Sequence, residues 1–483
     1  MSLNGALMNA FSGLRANSRA ATIVSTNISN ATTDGYGRRD LALTAGVVGT
    51  YGGVRVDGVL RNVDPAVLAD RRVSDARLGY SDDMMAFLSR IEVSAGNSGS
   101  PGSLTERVTA FENALVTAAS NPASVQRLET VAFAGNALAE KLNSLSSDLQ
   151  AARLEADGRI GDQVTRLNDT LNQVDQLNDD IVAASTTNTD VSSLLDERQR
   201  LIDGIAEIVP LRVVQRDLGA VSLFTTGGAA LLDGGAVTEI GFTPVNSIGA
   251  GMTYAAGDLS GLMLNGKAIN SASNSMLAGG TLAAQFAIRD DAAPSEQARL
   301  DALARDLAER LGAGGPDTTL APGDAGLFTD AGSAFDTANE EGFAGRIALN
   351  ALVTPGSGES WRLRDGLGAA APGASGDARL LQGISGALSV PAVPGSGVLA
   401  PVARSFADQA AEFSSGTSAA RVREENNRTY LAAQNTALKE REFSQGVDTD
   451  QELQRLMLIE QHYAANARVM SAVDELMERL LAI

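Results

Sequence analysis

Near each end of the chain, apolar residues recur at alternating intervals of three and four, the spacing of a helix face that packs in a coiled coil. In each stretch seven of eight positions are apolar or aromatic, and the eighth is an asparagine. The positions are Leu3, Leu7, Ala10, Leu14, Asn17, Ala21, Val24 and Ile28 in the first stretch, and Leu456, Ile459, Tyr463, Asn466, Met470, Val473, Met477 and Leu480 in the second. Each stretch predicts a helix roughly 40 Å long, at about 1.5 Å per residue.

These stretches predict that the two ends of the chain pair as a coiled coil, in which a polar asparagine weakens the seam but fixes its register. We expect the paired ends to drive the assembly of many copies. The predicted assembly seam consists of Leu3, Leu7, Leu14, Val24, Ile28, Leu456, Ile459, Tyr463, Met470, Val473, Met477 and Leu480. The alternative is two ordinary amphipathic helices within a globular core. Thr449 and Glu452 have capping-box spacing and predict the start of the second helix.

Between these ends, helical periodicity covers most of the first half of the chain, starting at Asp64-Pro65. A Gly-rich stretch from Val47 to Leu60 precedes it and predicts a hairpin or an extended arm. A helix is expected from Ser124 to about Ile181, with a weak point at Gly158 and Gly161. β-Branched runs then begin at Leu211, and helix returns from Leu282 with an interruption at Ala293-Pro294-Ser295.

The pattern divides the chain into six segments. They are an N-terminal coiled-coil helix with an arm (1–60), a helical bundle domain (61–207), a small β-rich domain (208–275), a mixed region of helix, strand and loop (276–400), a returning bundle helix (401–445) and a C-terminal coiled-coil helix (446–483). The predicted fold is mainly α with a β-rich insertion. Its terminal helices pair as a coiled coil, a helical bundle forms the next layer, and the β-rich domain lies outermost.

Composition excludes several classes of function. The chain has 483 residues, no Cys and one His, which rules out disulfides, thiolate metal sites and multi-His zinc sites. A net charge of −20 argues against a nucleic-acid partner. No run of about 20 apolar residues predicts a membrane span. The first residues also lack the basic start and apolar block of a cleaved signal peptide.

Three candidate sites have simpler explanations than catalysis, ligand binding or contacts between subunits. Gly261 to Lys267 has phosphate-loop spacing, but Ala268 stands where the motif needs Ser or Thr, so a β-turn is expected. His462 and Glu460 are two positions apart and do not share a helix face, which favours a solvated or interface histidine. The pairs Arg38-Arg39 and Arg71-Arg72 are expected to be solvated, with salt bridges between subunits as the alternative. We therefore predict no enzymatic activity, no cofactor and no metal.

The first 39 residues carry a family resemblance. The matching positions are Ser12-Gly13-Leu14, Asn27-Ile28, Asn30, Thr32 and Gly35-Tyr36. This stretch, like the tail from Gly446 onward, resembles the axial proteins of the bacterial flagellum, which include rod, hook and hook-associated proteins. Within that group, Tyr36-Gly37-Arg38-Arg39, the segment Leu194–Arg198 and the run from Gly279 to Asp290 resemble the hook-associated proteins of the hook–filament junction. Ser29 departs from the usual pattern, in which Ala is common.

The resemblance implies a structural subunit that forms the junction between hook and filament and is needed for filament assembly and motility. The alternative it leaves open is another axial protein, such as a hook or distal rod subunit. It implies self-assembly into the axial structure, contacts with the hook protein and with a second junction protein next to the filament, and an export chaperone at the C-terminus. It also implies an extracellular location, reached through the flagellar type III apparatus without a cleaved signal peptide.

Overall fold

The computed structural model describes residues 3–46, 52–97, 99–187, 189–270 and 275–482. Its first half contains a hairpin and five helices: α1 (Leu3–Ser29), β1 (Arg38–Ala45), β2 (Val54–Asn62), α2 (Pro65–Ala95), α3 (Leu104–Ala119), α4 (Val125–Thr186) and α5 (Ser192–Ala206). Strands β1 and β2 pair antiparallel. The hairpin therefore begins at Arg38, nine residues before the stretch from Val47 to Leu60 that was expected to form a hairpin or an extended arm, and that stretch supplies only the second strand. Residues 47–51 lie outside the described part.

Seven short strands follow α5 and form two antiparallel sheets. They are β3 (Leu211–Gln215), β4 (Val221–Thr225), β5 (Ala230–Asp233), β6 (Ala236–Val237), β7 (Ile240–Gly241), β8 (Met263–Leu264) and β9 (Lys267–Ala268). Strands β3 to β6 make one sheet, and β7 to β9 make the other. Asn265 and Gly266, both with positive φ, form the turn between β8 and β9. The phosphate-loop-like stretch is therefore a hairpin, as predicted.

The second half begins with α6 (Thr281–Ala287), a π-helical turn (Ile288–Ala292) and α7 (Ala293–Arg310). The interruption predicted near Pro294 is this π turn, because proline has no backbone N–H for the helical ladder. The remaining elements are β10 (Phe328–Asp330), β11 (Ile347–Leu349), α8 (Arg362–Asp365), α9 (Arg379–Ser389), α10 (Phe406–Ser444) and α11 (Thr449–Leu481). The mainly α fold with a β-rich insertion and paired terminal helices is confirmed.

Helix α4 joins two hydrophobic cores. Its 62 residues make it roughly 90 Å long. Leu138 and Leu142 of its first half belong to a core shared with α2, α3, α7, α9 and α10. Leu167 and Leu171 of its second half belong to a core shared with α5, α6 and the first sheet. The helix continues through Gly158 and Gly161, since packing on both sides outweighs the roughly 1 kcal/mol that each glycine costs.

A buried polar layer lies where the two cores meet on α4. The guanidinium of Arg289 donates to Asp157 at 2.7 Å, and both side chains are fully buried. Arg153 donates to the backbone carbonyls of Arg289 at 2.9 Å and Met252 at 2.6 Å. These bonds satisfy the charges that burial would otherwise leave uncompensated. They also fix the π turn and the loop before β8 against α4.

Candidate assembly interface at the paired terminal helices

Helices α1 and α11 pack against each other along their lengths and run antiparallel. A Cβ atom at Gly13 would lie 2.6 Å from Nδ2 of Asn466, so the helices approach closely at this point. Fourteen residues further along α1, Asn27 contacts Glu452, which lies fourteen residues earlier in α11. Asn466 thus lies opposite a glycine, which leaves room for its amide at the interface.

The predicted seam residues differ in how deeply this pairing buries them. Val24 and Val473 are buried. The half-buried members are Leu3, Leu7, Leu14, Ile28, Leu456, Ile459 and Met470. Tyr463, Met477 and Leu480 remain exposed, with between 45% and 58% of their surface accessible. The antiparallel pair therefore covers most of the predicted seam but leaves Tyr463 and the last two seam positions of α11 open to solvent.

A second set of apolar residues on the same helices points away from the pair. Met8 and Phe11 of α1 are more than half exposed, as are Met457 and Leu458 of α11. Val469 and Leu476 are nearly half exposed. Helices with apolar residues around most of their circumference are normally buried by further partners. Several large apolar side chains exposed on one pair of helices mark an interaction site.

One end of the helix pair is held by a polar cluster around Asn27, which is fully buried. Its amide nitrogen donates to the backbone carbonyl of Arg39 at 2.9 Å and to Glu452 at 3.1 Å. Its oxygen accepts from the hydroxyl of Tyr36 at 2.8 Å and from the backbone N–H of Arg39 at 3.0 Å. All the hydrogen-bonding capacity of this amide is used, so Asn27 joins α1 to both β1 and α11.

Glu452 carries the charge of this cluster and is also fully buried. Arg38 of β1 donates to it at 3.0 Å, and Arg455 of α11 lies 3.4 Å away. Arg455 also contacts Asp40, one strand position beyond Arg39. A buried carboxylate needs such partners because desolvation of an unpaired charge costs several kcal/mol.

Asp196 of α5 connects the hairpin to the helical bundle. Its carboxylate accepts from the backbone N–H of Gly37 at 2.9 Å, from Arg61 at 2.6 Å and from Arg39 at 2.7 Å. The guanidinium of Arg39 also lies 4.9 Å from the centre of the Tyr36 ring. Two segments singled out in the sequence, Tyr36–Arg39 and Leu194–Arg198, are thus in direct contact.

Glycine is required on both sides of Tyr36. Gly35 has φ of +77°, in the left-handed region that favours glycine. A Cβ atom at Gly37 would lie 2.5 Å from Nε of Arg61, within the space that the ion pair to Asp196 occupies. The backbone N–H of Gly37 can therefore reach the carboxylate of Asp196 only because Gly37 has no side chain.

The structure corrects the prediction that the two arginine pairs are solvated. Arg38 and Arg39 form ion pairs within the chain, to Glu452 and Asp196. Arg71 and Arg72 are buried, and both form ion pairs with Asp203 of α5. Arg71 also contacts Asp75 and, at 2.6 Å, Glu442 of α10. These arginines connect elements that lie far apart in the sequence, which spacing alone does not reveal.

The start of α11 is also corrected. The N-cap is Asp448, whose carboxylate accepts from the backbone N–H groups of Asp450 at 2.9 Å and Gln451 at 3.1 Å. Thr449 is the first residue of the helix rather than its cap. With Asp448 as the N-cap, the third helical position is Gln451 rather than Glu452, so Glu452 is not placed to close a capping box, and its side chain contacts Asn27 and Arg38.

Burial changes the ionisation of groups around this cluster. Burial raises the pKa of the Tyr36 hydroxyl, and the neighbouring charge of Arg39 lowers it in part. Burial lowers the pKa of Arg198 to about 10, and the positive charges of Arg61 and Arg72 act in the same direction. Arg198 nevertheless donates to Asn178 at 2.8 Å and to the carbonyl of Gly219 at 2.7 Å. At neutral pH it remains a cation that holds α5 to α4.

Sequence reasoning missed Asn27, Glu452 and Asp196 as the centres of this cluster. The signal that could have found Glu452 is an acidic residue on the inner face of α11, one turn before Leu456 in the predicted seam. Asn27 and Asp196 lie in segments that carry the family resemblance, but their spacing does not indicate the partners that they contact on other elements.

Comparison with known proteins finds similarity to flagellar proteins. A family model described as the flagellar hook-associated protein FlgK helical domain matches residues 88–314. Another, described as the flagellar basal body rod FlgEFG protein C-terminal region, matches residues 444–483 and so covers α11. Flagellar hook-associated protein 1 of Bacillus subtilis (strain 168) is 26% identical over 235 residues, and that of Salmonella typhimurium (strain LT2) is 27% identical over 252 residues. The chain is similar to FlgK proteins over about half of its length.

The matches to FlgK proteins cover part of each chain. The Bacillus alignment covers 46% of this chain and 46% of its relative, and the Salmonella alignment covers 50% and 45%. The chain thus spans about half the length of the curated relatives it matches. A solved structure of the flagellar hook junction protein FlgK from Burkholderia pseudomallei aligns with 54% of this chain and 46% of its own, at 20% identity and a TM-score of 0.45.

Proposed function

We propose that this chain, which is similar to FlgK proteins, is a structural subunit of the bacterial flagellum that forms the junction between hook and filament. The observation that carries the proposal is the terminal helix pair. Most of its inner face is covered within the chain, while its outer faces expose Phe11, Met457 and Leu476 to solvent. Exposed apolar surface on long paired helices suits a protein whose final environment is a polymer of many copies.

The junction is favoured over the alternative of a hook or distal rod subunit. The relatives of this chain are named flagellar hook-associated protein 1, and the longer family model describes a FlgK helical domain. The rod-type match is confined to the last 40 residues, where axial proteins resemble one another. The contact between Gly37 and Asp196 supports the same choice, since both lie in segments that resemble hook-associated proteins.

The proposed partners follow from a location at the junction between hook and filament. A junction subunit assembles with copies of itself, with the hook protein below it and with a second junction protein on the filament side. It acts outside the cell after export through the flagellar type III apparatus, without a cleaved signal peptide. An export chaperone is proposed to hold the C-terminal helix before assembly. No described helix is long and apolar enough to cross a membrane.

A structural rather than enzymatic role is part of the proposal. Within the described residues, no group of three or more His, Asp or Glu side chains is placed to hold a metal ion. His462 is exposed on α11. The buried charged residues described above are paired with one another and with backbone groups, as in a structural ion-pair network.

Complementation tests the proposal. The gene is deleted in its own host, and filament growth and swimming are scored after the wild-type chain, Leu14→Asp or Met470→Asp is supplied. Both substitutions put a charge into the half-buried inner face, so we expect loss of filaments and swimming while the middle domains stay folded. Val93→Asp on α2 is the matched control, because this valine is 77% exposed and lies outside the terminal pair.

Each outcome bears on a separate part of the proposal. If the deletion strain still grew filaments, the chain would not be a junction subunit. If Leu14→Asp supported normal swimming, the inner face would not be needed for assembly. Leu223→Asp changes a fully buried residue of the first sheet. It should reduce the thermal stability of the sheet, whereas Leu14→Asp should not.

A further inference from the structure

Helix α11 carries a second apolar stripe that no described element covers. It consists of Leu458, His462, Ala465, Val469, Ala472 and Leu476, again spaced at alternating intervals of four and three. Every member is exposed, and the three large apolar side chains are between 45% and 53% accessible. We call this set the outer stripe. Its heptad spacing is that of a coiled-coil seam without a partner in the chain.

On another side of the helix pair, α1 and α11 enclose a groove of about 580 Å³. Its lining includes Ser18, Ala21, Thr22 and Ser25 from α1, and Ile459 and Tyr463 from α11. Most of the α1 side chains here are small, which allows a third helix to approach closely and insert larger side chains between the two.

The outer stripe and the groove lie on opposite sides of the pair. The inner face of α11, which carries Asn466 and Val473, contacts α1. At 3.6 residues per turn, the outer stripe is rotated from this face by roughly a quarter turn in one direction, and the groove residues Glu460 and Tyr463 by a similar angle in the other. A stripe in one copy therefore cannot reach the groove of the same copy.

We propose that the outer stripe of one copy inserts into the groove of the next copy. This inference rests on the proposed function and specifies how neighbouring subunits meet. Two different surfaces on opposite sides make the contact heterologous, and heterologous contacts continue into rings or helical arrays. A contact between two outer stripes would be isologous and would end at a dimer.

Charge on the two surfaces supports a second copy as the occupant. Arg468 lies beside the outer stripe, next to Val469, and Glu460 lines the groove. Both residues are exposed, and neither forms an ion pair with any other residue that the structure describes. Insertion of the stripe into a neighbouring groove places a free cation and a free anion on facing surfaces.

The absence of native cysteine allows a direct crosslinking test. Cysteines are introduced as Ser18→Cys in the groove and Val469→Cys in the outer stripe, together and singly. Hook-tip preparations are isolated from cells whose own gene carries these changes and treated with a flexible bis-maleimide. Denaturing gels then separate the products by the number of chains joined. Ser18→Cys combined with Arg379→Cys on α9, where the native side chain is 90% exposed, is the matched control.

The proposal predicts a ladder of two, three and more chains from the Ser18→Cys/Val469→Cys protein. Each single variant and the control pair should give monomers. Dimers from Val469→Cys alone would show that outer stripes meet each other and would overturn the proposal. A lack of ladder from the double variant, with the chain present in the preparation, would also overturn it. Absence of the chain from the preparation would instead refute the proposed function.

Discussion

The side-chain amide of Asn27 donates to the carboxylate of Glu452 at 3.1 Å, although 425 positions separate the two residues in the sequence. Both side chains are fully buried, and each also binds the first strand of the hairpin, Asn27 through Arg39 and Glu452 through Arg38. The two ends of the chain are therefore joined by a specific polar contact as well as by apolar packing. Specific polar contacts of this type can fix the register of paired helices.

Glu452→Gln should loosen the terminal helix pair. The substitution keeps the shape of the side chain but removes the charge that faces Arg38 and Arg455. We expect a loss of roughly 1.5–3 kcal/mol from this contact, the usual range for a hydrogen bond to a charged group. Amide hydrogen exchange over α1 and α11 should accelerate accordingly, while exchange in α4 should not change.

Glu460→Gln is the control for this prediction. It makes the same chemical change on α11, at an exposed residue without an ion pair among the described residues. Exchange in α1 should then match the wild type. Equal acceleration by both substitutions would mean that the total charge of α11, rather than the buried contact, sets the stability of the pair.

Asp196→Asn should release the hairpin from the helical bundle. The carboxylate accepts from Gly37, Arg39 and Arg61, and an amide can neither pair with two guanidinium groups nor accept through its nitrogen. We expect faster proteolysis between residues 35 and 62 and a decrease in the melting temperature. Glu197→Gln is the matched control, because the side chain of Glu197 is 44% accessible and contacts Arg200 one turn away. Unchanged proteolysis in Asp196→Asn would argue against this role.

Asp301 of α7 should make stability depend on pH. Its carboxylate accepts from the backbone N–H groups of Gly342 at 2.7 Å and Ala344 at 2.8 Å. Burial raises the pKa of this carboxyl to about 6, because its effect is larger than the lowering effect of those hydrogen bonds. The folded chain thus holds this proton more tightly than the unfolded chain does. The stabilisation that comes from protonated Asp301 is complete below about pH 4 and is lost as the pH rises through about 6.

Urea unfolding at pH 4 and pH 7 tests this expectation. Asp301→Asn cannot titrate, so the free energy of unfolding of the wild type relative to this variant should fall by on the order of 2 kcal/mol between the two pH values. Asp306→Asn is a useful comparison, since burial raises the pKa of this carboxyl too, but an ion pair with Arg310 at 2.8 Å opposes the shift. A pH-independent difference for Asp301→Asn would contradict the prediction.

Local features of the fold could be predicted from sequence because neighbouring residues determine them. Asp64 caps α2 through the N–H of Ala66 at 2.9 Å, and Pro65 follows at a position where helices tolerate proline. Helix α3 begins at Leu104 because Ser103 caps it, accepting from the N–H of Glu106 at 3.2 Å. The pairing of α1 with α11 also followed from spacing, because two exposed seams of equal length need partners.

The polar cluster could not be predicted in the same way. Its contacts join residues such as Arg39 and Asp196, which are 157 positions apart and carry no periodic signal. Arginine side chains are mostly exposed in folded proteins, so Arg71 was also expected to be solvated. The tertiary fold changes this outcome, because α2, α5 and α10 place Asp75, Asp203 and Glu442 around the guanidinium of Arg71.

The proposed chaperone should bind most tightly when α1 releases α11. In the folded chain the inner face of α11, including the half-buried Leu456, Ile459 and Met470, packs against α1. A chaperone that holds this face in a groove must compete with α1, and its apparent affinity is reduced by the fraction of chains in which the pair is closed.

Two substitutions that both break the helix pair should therefore act in opposite directions on chaperone binding. Leu14→Asp changes α1 and leaves α11 intact, so it should tighten binding measured by calorimetry with the purified chaperone. Met470→Asp places a charge in the face that the chaperone holds and should weaken binding. Deletion of residues 447–483 should abolish it. If Leu14→Asp and Met470→Asp weakened binding equally, the chaperone would recognise the closed pair of α1 and α11 instead. Undiminished binding after the deletion would place the chaperone site on α10 or beyond.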